Sequence, residues 1–271
     1  MANGGCTTAH RPYMTSNRWT PEQLKLAFHL YCQLPFGKMD KGNKEVIQLA
    51  ELIGRTPSAI ALKLVNFASL DPALAARGIK GMGNSSALDR EIWEQFHADW
   101  EGLSSECEHL RNTLMIEHGL TENSYSDQKD IADFTGETRL IMREQRLKQS
   151  FFRKAVLSSY RGRCCMTGLS EPRLLIASHI VPWSRDTSNR LNPANGLTLC
   201  ALHDRAFDSG LLTLSDDFRV VLSEALKRKN DPFIQSVFLP LEGNLIEMPE
   251  RFTPDIRFIR RHRAEIFIDH A

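Results

Sequence analysis

Apolar positions recur with a helical period over the first hundred residues. Thr20-Pro21-Glu22-Gln23 combines an N-cap, a proline at the first helical position and a capping-box glutamine. Leu24, Ala27, Phe28 and Tyr31 follow at helical spacing and predict a helix to about Leu34, stopped by Pro35. A second periodic segment, Glu45 to Ile53, ends at Gly54. Thr56-Pro57 opens a third helix, with Ile60, Leu64 and Phe67 on its buried face. Two helices joined by a short glycine-containing turn predict a helix-turn-helix-like unit. Trp93, Phe96 and Trp100, on a further helix, supply aromatic packing for it.

Further along, the pattern shortens. Leu174–Ala177 and Leu197–Cys200 are brief apolar runs on either side of a polar loop, Ser184 to Asn195, and predict two strands. Leu202 to Phe207 begins a helix, and Leu211–Leu214 with Val220–Leu222 flank a turn, predicting a hairpin. Thr253-Pro254 is expected to cap a last helix that carries Arg257, Arg260, Arg261 and Arg263. The fold class expected is α+β, with an all-α unit at 17–100, a linker at 101–147 and a mixed domain at 148–271. The weak patterning of the linker predicts that the two units fold separately.

Charge sharpens that division. The 34 Lys and Arg residues balance 33 Asp and Glu, so any nucleic-acid surface must come from local clustering. Between 101 and 133, eight acidic residues face only Arg111 and Lys129. From Glu137 the sign reverses: Arg139, Arg143, Arg146, Lys148, Arg153, Lys154, Arg161 and Arg163 stand against Glu137 and Glu144. That basic run suits phosphate contact. No apolar run approaches the ~20 residues a membrane span needs. The N-terminus lacks a basic segment followed by an apolar stretch, so a cytoplasmic protein is expected. The six cysteines include no CxxC pair, and Cys200 with His203 makes only half of a zinc-knuckle spacing. Buried free thiols are therefore expected, and no structural zinc.

Candidate chemistry concentrates between 164 and 210. His179 closes one strand, Asn195 precedes the next, and His203 opens a helix that also carries Asp204 and Asp208. A free imidazole can act as general base near neutral pH, and a second imidazole beside carboxylates can hold a divalent ion. The landmarks Ser178-His179-Ile180, Pro182-Trp183, Asn195-Gly196-Leu197 and His203-Asp204-Arg205-Ala206-Phe207-Asp208 resemble the HNH nuclease family, most closely bacterial restriction and phage-defence members. The resemblance spans roughly residues 150 to 250 and implies a ββα-metal fold cutting DNA. It implies His179 as general base, Asn195 as the residue fixing the loop that orients it, and His203 as a metal ligand. Mg²⁺ or Mn²⁺ is the cofactor implied.

Two departures stand out. Many HNH nucleases carry aspartate just before the base histidine, where this chain has Ser178, and paired CxxC knuckles are absent. Metal binding is therefore expected to lean on His203 with Asp208, Asp204 being the substitute. The N-terminal stretches WTPEQLKLAFHLYCQLPFG and AELIGRTPSAIALKLVNFASLDP resemble a domain that accompanies HNH nucleases. Arg55, Ser58, Lys63 and Asn66 are the residues expected to meet base edges in the major groove. The rival readings are a DNA-binding regulator with weakened catalysis and a signal-gated nuclease effector. A homodimer is left open.

Overall fold

The computed structural model describes residues 18–78, 84–119 and 136–269, leaving aside the side chains of residues 136–143. Residues 1–17 thus lie outside the described residues, as do the side chains of Arg139 and Arg143. Helix α1 (Pro21–Gln33) carries the expected reciprocal cap: the Gln23 amide donates to the Thr20 hydroxyl, and the Gln23 side chain answers the Thr20 backbone. Asn43 caps α2 (Lys44–Leu52) and Thr56 caps α3 (Pro57–Ala68), with Gly54 between them at φ 68°, a left-handed conformation that favours glycine. A short α4 (Pro72–Ala76) follows, then α5 (Ala87–Ala98), capped by Ser86. Asp99 interrupts the next helical stretch and caps α6 (Trp100–Glu117), so Trp93 and Phe96 sit on one helix and Trp100 on another.

Phe28 explains why these helices stay together. Its ring lies 5.1 Å from Phe67, 5.4 Å from Trp93 and 4.6 Å from Phe96, and all but Trp93 are fully buried. Part of the expected linker also belongs to this packing. Residues 101–117 lie in α6, which rests on α1, and Lys25 pairs with Glu106 at 2.7 Å. Residues 136–147 open α7 (Gly136–Ser159). The remaining stretch, 120–135, lies outside the described residues.

Helix α7 joins the halves. One side meets α1, with Phe151 stacked on His29 at 4.6 Å and the Ser158 hydroxyl donating to the Cys32 carbonyl. Its other side covers an antiparallel pair, β1 (Leu175–His179) and β2 (Gly196–Cys200), in which His179 faces Gly196 and Leu175 faces Cys200. Helix α8 (Ala201–Asp208) leaves β2 without a break and packs back onto the pair. The expected hairpin forms as β3 (Leu212–Leu214) and β4 (Val220–Leu222), followed by α9 (Glu224–Lys227) and α10 (Pro232–Val237). The last helix, α11 (Ile256–Glu265), is capped by Asp255 rather than Thr253, because the Asp255 carboxylate accepts from the Arg257 amide.

The expectation of separately folding units meets a physical obstacle. Arg251 is fully buried and donates to the Tyr31 and Leu34 carbonyls, which the end of α1 leaves without helical partners. It also reaches the Ser158 hydroxyl at 3.1 Å, and its guanidinium lies 4.6 Å from the Tyr31 ring centre. Phe252 then sets its ring edge-on to Tyr31 and Trp100. Late residues of the chain thus complete the core of its first helix.

Candidate active site and a sulfur-imidazole cluster

Successive residues of a strand point to opposite faces, and β1 uses this at its end. His179 turns toward α7 and stacks on Phe152, with ring centres 3.8 Å apart and planes 8° apart. Trp183 meets it edge-on at 5.6 Å. His179 Nε2 lies 2.9 Å from the Arg190 carbonyl oxygen. A carbonyl can only accept, so Nε2 carries the proton and Nδ1 keeps the lone pair. Burial pulls the imidazole pKa below its ordinary value, opposed by the Arg190 hydrogen bond. The ring is therefore neutral at pH 7. It borders a cavity of about 290 Å³ with Gln149, Phe152, Arg153, Ile176, Ala177 and Trp183.

Asn195 sets the geometry of this strand end. Fully buried, it accepts from the Val181 amide at 2.8 Å and donates to the Val181 and Asn189 carbonyls at 3.1 and 3.3 Å. Its own carbonyl accepts from the Ile180 amide at 2.9 Å. One side chain thus ties the residues just after His179 to the loop that supplies the Arg190 carbonyl. Arg190 in turn donates to the Trp183 carbonyl at 2.9 Å and lies over the Trp183 ring.

Ser178 is buried on the opposite face, beside Asp204 of α8. Asp204 and Asp208 are four residues apart and share a side of that helix. Burial raises the pKa of Asp204, with Ser178 and Arg205 opposing it. Burial and the neighbouring Asp204 raise Asp208 to about 6, against the pull of Arg205. The two carboxylates offer oxygen donors of the kind that magnesium and manganese take.

His203 meets donors that the expected ligand set does not include. Almost wholly buried, it presents Nδ1 to sulfur. Its Nδ1 lies 3.1 Å from Cys200 Sγ and 3.9 Å from Cys164 Sγ, and the three ligating atoms all lie within 4.8 Å of one another. The half-knuckle seen in the sequence therefore gains a third donor from the turn after α7. Hydrogen bonding from Cys200 holds the Cys164 thiol well below its usual range, to about 3, and the same contact pushes Cys200 up. Spacing does not reveal Cys164, because its partners are remote in sequence and its adjacency to Cys165 fits no paired-ligand spacing. Cys165 is buried near Tyr160 instead.

The residues expected to meet base edges are placed as follows. Arg55 is buried, donating to the Gln23 side chain and the Arg18 carbonyl, with its guanidinium 4.9 Å from the Trp19 ring centre. Lys63 is spent on the fully buried Asp89 at 3.0 Å, and Asn66 is buried as well. Of the four, Ser58 alone is exposed. Arg55 and Lys63 thus hold the helical unit together internally, and Asn66 is buried beside them rather than presented at the surface.

The basic run divides differently. Arg146, Arg153, Lys154, Arg161 and Arg163 stand at exposed positions. Arg161 pairs with Glu247, and Arg163 donates to the Gly168 carbonyl at 3.3 Å. Arg153 lines the His179 cavity. Lys148, by contrast, is held by Glu101 and Glu144 at 2.9 Å each.

The strand-end histidine, the asparagine that braces its loop and the helix packed on the same strand pair lie within a stretch that matches a known sequence profile, described as HNH endonuclease, over residues 164–215. This segment is similar to the HNH endonuclease family. Comparison with curated proteins finds no match. The HNH segment holds His179, Asn195, His203, Asp204 and Asp208 together with Cys164 and Cys200. Phe152 and Arg153, which border the His179 cavity, come from outside it. No helix among the described residues is long and apolar enough to cross a membrane.

Proposed function

We propose that the protein is a metal-dependent DNA endonuclease that restricts foreign or modified DNA. The observation that carries this reading is the fixed tautomer of His179: Nε2 is committed to the Arg190 carbonyl, which leaves a basic Nδ1 beside a cavity that Arg153 also lines. In the proposed reaction a water gives its proton to His179 Nδ1 as its oxygen attacks phosphorus, in line with the departing 3′ oxygen. Arg153 and Lys154 neutralise the phosphate and add affinity without sequence preference. Asn195 acts as a positioning residue, because its hydrogen bonds hold the loop on which the tautomer depends. Asp204 and Asp208, carried by the helix on the other face of the strand pair, would hold Mg²⁺ or Mn²⁺, and an ion bound there would supply charge stabilisation to a phosphate.

Cleavage of supercoiled plasmid with Mg²⁺ or Mn²⁺ tests the reading. The expected result is cutting that EDTA abolishes and that His179→Ala slows by about 2–4 orders of magnitude, with DNA affinity nearly unchanged. Near-normal turnover by the variant overturns the assignment of the base. Parallel digestion of unmodified, adenine-methylated and cytosine-methylated DNA tests the restriction role.

A further inference from the structure

Beside the carboxylate pair, the structure holds donors of a different chemical kind. Cys164 lies in the turn after α7, Cys200 ends β2, and His203 sits in the first turn of α8. Thiolate and imidazole select soft or borderline ions, whereas carboxylates suit magnesium and manganese. We propose that Cys164, Cys200 and His203 bind a zinc ion that is structural and separate from the catalytic cation.

Distances support a tetrahedral site. Zinc bonds of about 2.3 Å to sulfur and about 2.05 Å to nitrogen, at the tetrahedral angle, place sulfur and nitrogen about 3.6 Å apart. The two separations from His203 Nδ1, 3.1 and 3.9 Å, bracket that figure. The same geometry places two sulfurs about 3.8 Å apart, inside the 4.8 Å limit that the three ligand atoms share. Binding releases the thiol protons, and two thiolates with a neutral imidazole cancel the charge of the ion. Three protein ligands leave one tetrahedral position for water or a fourth group.

Topology gives the ion its purpose. The pair β1–β2 is a two-stranded sheet, an arrangement that is marginal in water without further support. Cys164 is fixed by its own turn, accepting from the Gly168 amide and donating its amide to Leu169, each at 2.8 Å. An ion there would tie that turn to the corner between β2 and α8. The corner carries Asp204 one residue beyond His203, so the ion would also fix the origin of the helix that presents the carboxylates.

The test is elemental analysis of the full chain purified under reducing conditions without chelator, followed by exchange into Co²⁺. About one zinc per chain is expected, and the Co²⁺ form should show an intense sulfur-to-cobalt charge-transfer band with the visible bands of tetrahedral cobalt. Cys200→Ser should lose that band or weaken it several-fold, and Cys107→Ser, buried in the helical half, should leave it intact. Wild-type protein that is folded by circular dichroism yet holds no zinc and gives no such band would falsify the proposal. So would a Cys164–Cys200 disulfide found by mass spectrometry in the reduced preparation. An Asp204→Asn/Asp208→Asn variant should keep its zinc while losing cleavage; loss of the zinc there overturns the separation of the two sites. Neither zinc content nor the cobalt spectrum depends on DNA cleavage, so this proposal and the nuclease reading can fail independently.

Discussion

Gly196 opens β2 opposite His179, and its lack of a side chain is what lets α7 lie against the strand. A Cβ placed there would fall 2.4 Å from Val156 Cγ2, 3.0 Å from Phe152 Cζ and 3.2 Å from the Pro193 carbonyl. Ordinary carbon contacts are ~3.5–4.0 Å, so Gly196→Ala must push Val156 back by about 1 Å. Overpacking of this kind costs about 1–3 kcal/mol. The backbone, at φ −131° and ψ 144°, is extended and accepts alanine, so the lost flexibility of the unfolded chain returns about 0.4–1 kcal/mol. The net expectation is a loss of about 1–2 kcal/mol, or a Tm lower by roughly 2–8 °C for a chain of this size.

The functional effect should exceed the loss of stability. Phe152 is both the second atom the new methyl meets and the ring stacked on His179. Misplacing a reacting group by an ångström can cost about 100-fold in rate, so plasmid cleavage should fall by roughly 10–100-fold while the protein stays folded. Val156→Ala in the same chain removes the atom that is struck. The double variant should recover much of both Tm and rate, giving a favourable coupling in a double-mutant cycle. Gly196→Ala with wild-type Tm and cleavage, or a cycle without coupling, would refute this account of the glycine.

Arg251→Met should destabilise the whole protein by about 2–6 kcal/mol, at ~1–3 kcal/mol for each carbonyl left unpaired, because the Tyr31 and Leu34 carbonyls lose their donor. Urea denaturation measures the loss, and the same packing means a fragment starting near residue 139 should not refold cooperatively. An unchanged midpoint would show that the halves are independent. His262 gives a pH dependence. Its ring is buried against Phe207, Nε2 meets the Phe207 carbonyl at 3.1 Å, and burial lowers its pKa to about 4. The folded state favours the neutral ring, so this contribution is complete above the unfolded pKa near 6.5 and is lost as pH falls from there toward 4, amounting to about 3 kcal/mol at ~1.36 kcal/mol per unit. His29, whose pKa burial lowers to about 3, acts in the same direction. Urea midpoints at pH 7.5 and 4.5 should differ less in His262→Gln than in wild type; equal pH slopes would show that His262 contributes nothing.

Much of the local structure is legible in the chain because its causes are local. The cap of α1 depends on Thr20 and Gln23, three residues apart, and the turn before α3 on Gly54. The hairpin and both strands of the β1–β2 pair appear close to where their short apolar runs place them. The order His179, Asn195, His203 likewise falls within the segment that matches the HNH endonuclease profile. Which way each side chain turns is another matter. Helical spacing put Arg55, Lys63 and Asn66 on an outer face, but Gln23, Trp19 and Asp89 arrive from other elements and draw two of the three inward by charge and ring contact. Spacing pairs His203 with carboxylates on its own helix, whereas the turn carrying Cys164 offers sulfur to its Nδ1. Arg251 and Phe252 carry no pattern that foretells a place in the core of the first helix, because only the path of the folded chain brings them there. Spacing along the chain thus determined elements and the order of the candidate groups. Contacts between residues far apart in sequence decided which groups stay available for chemistry and which are used to hold the fold.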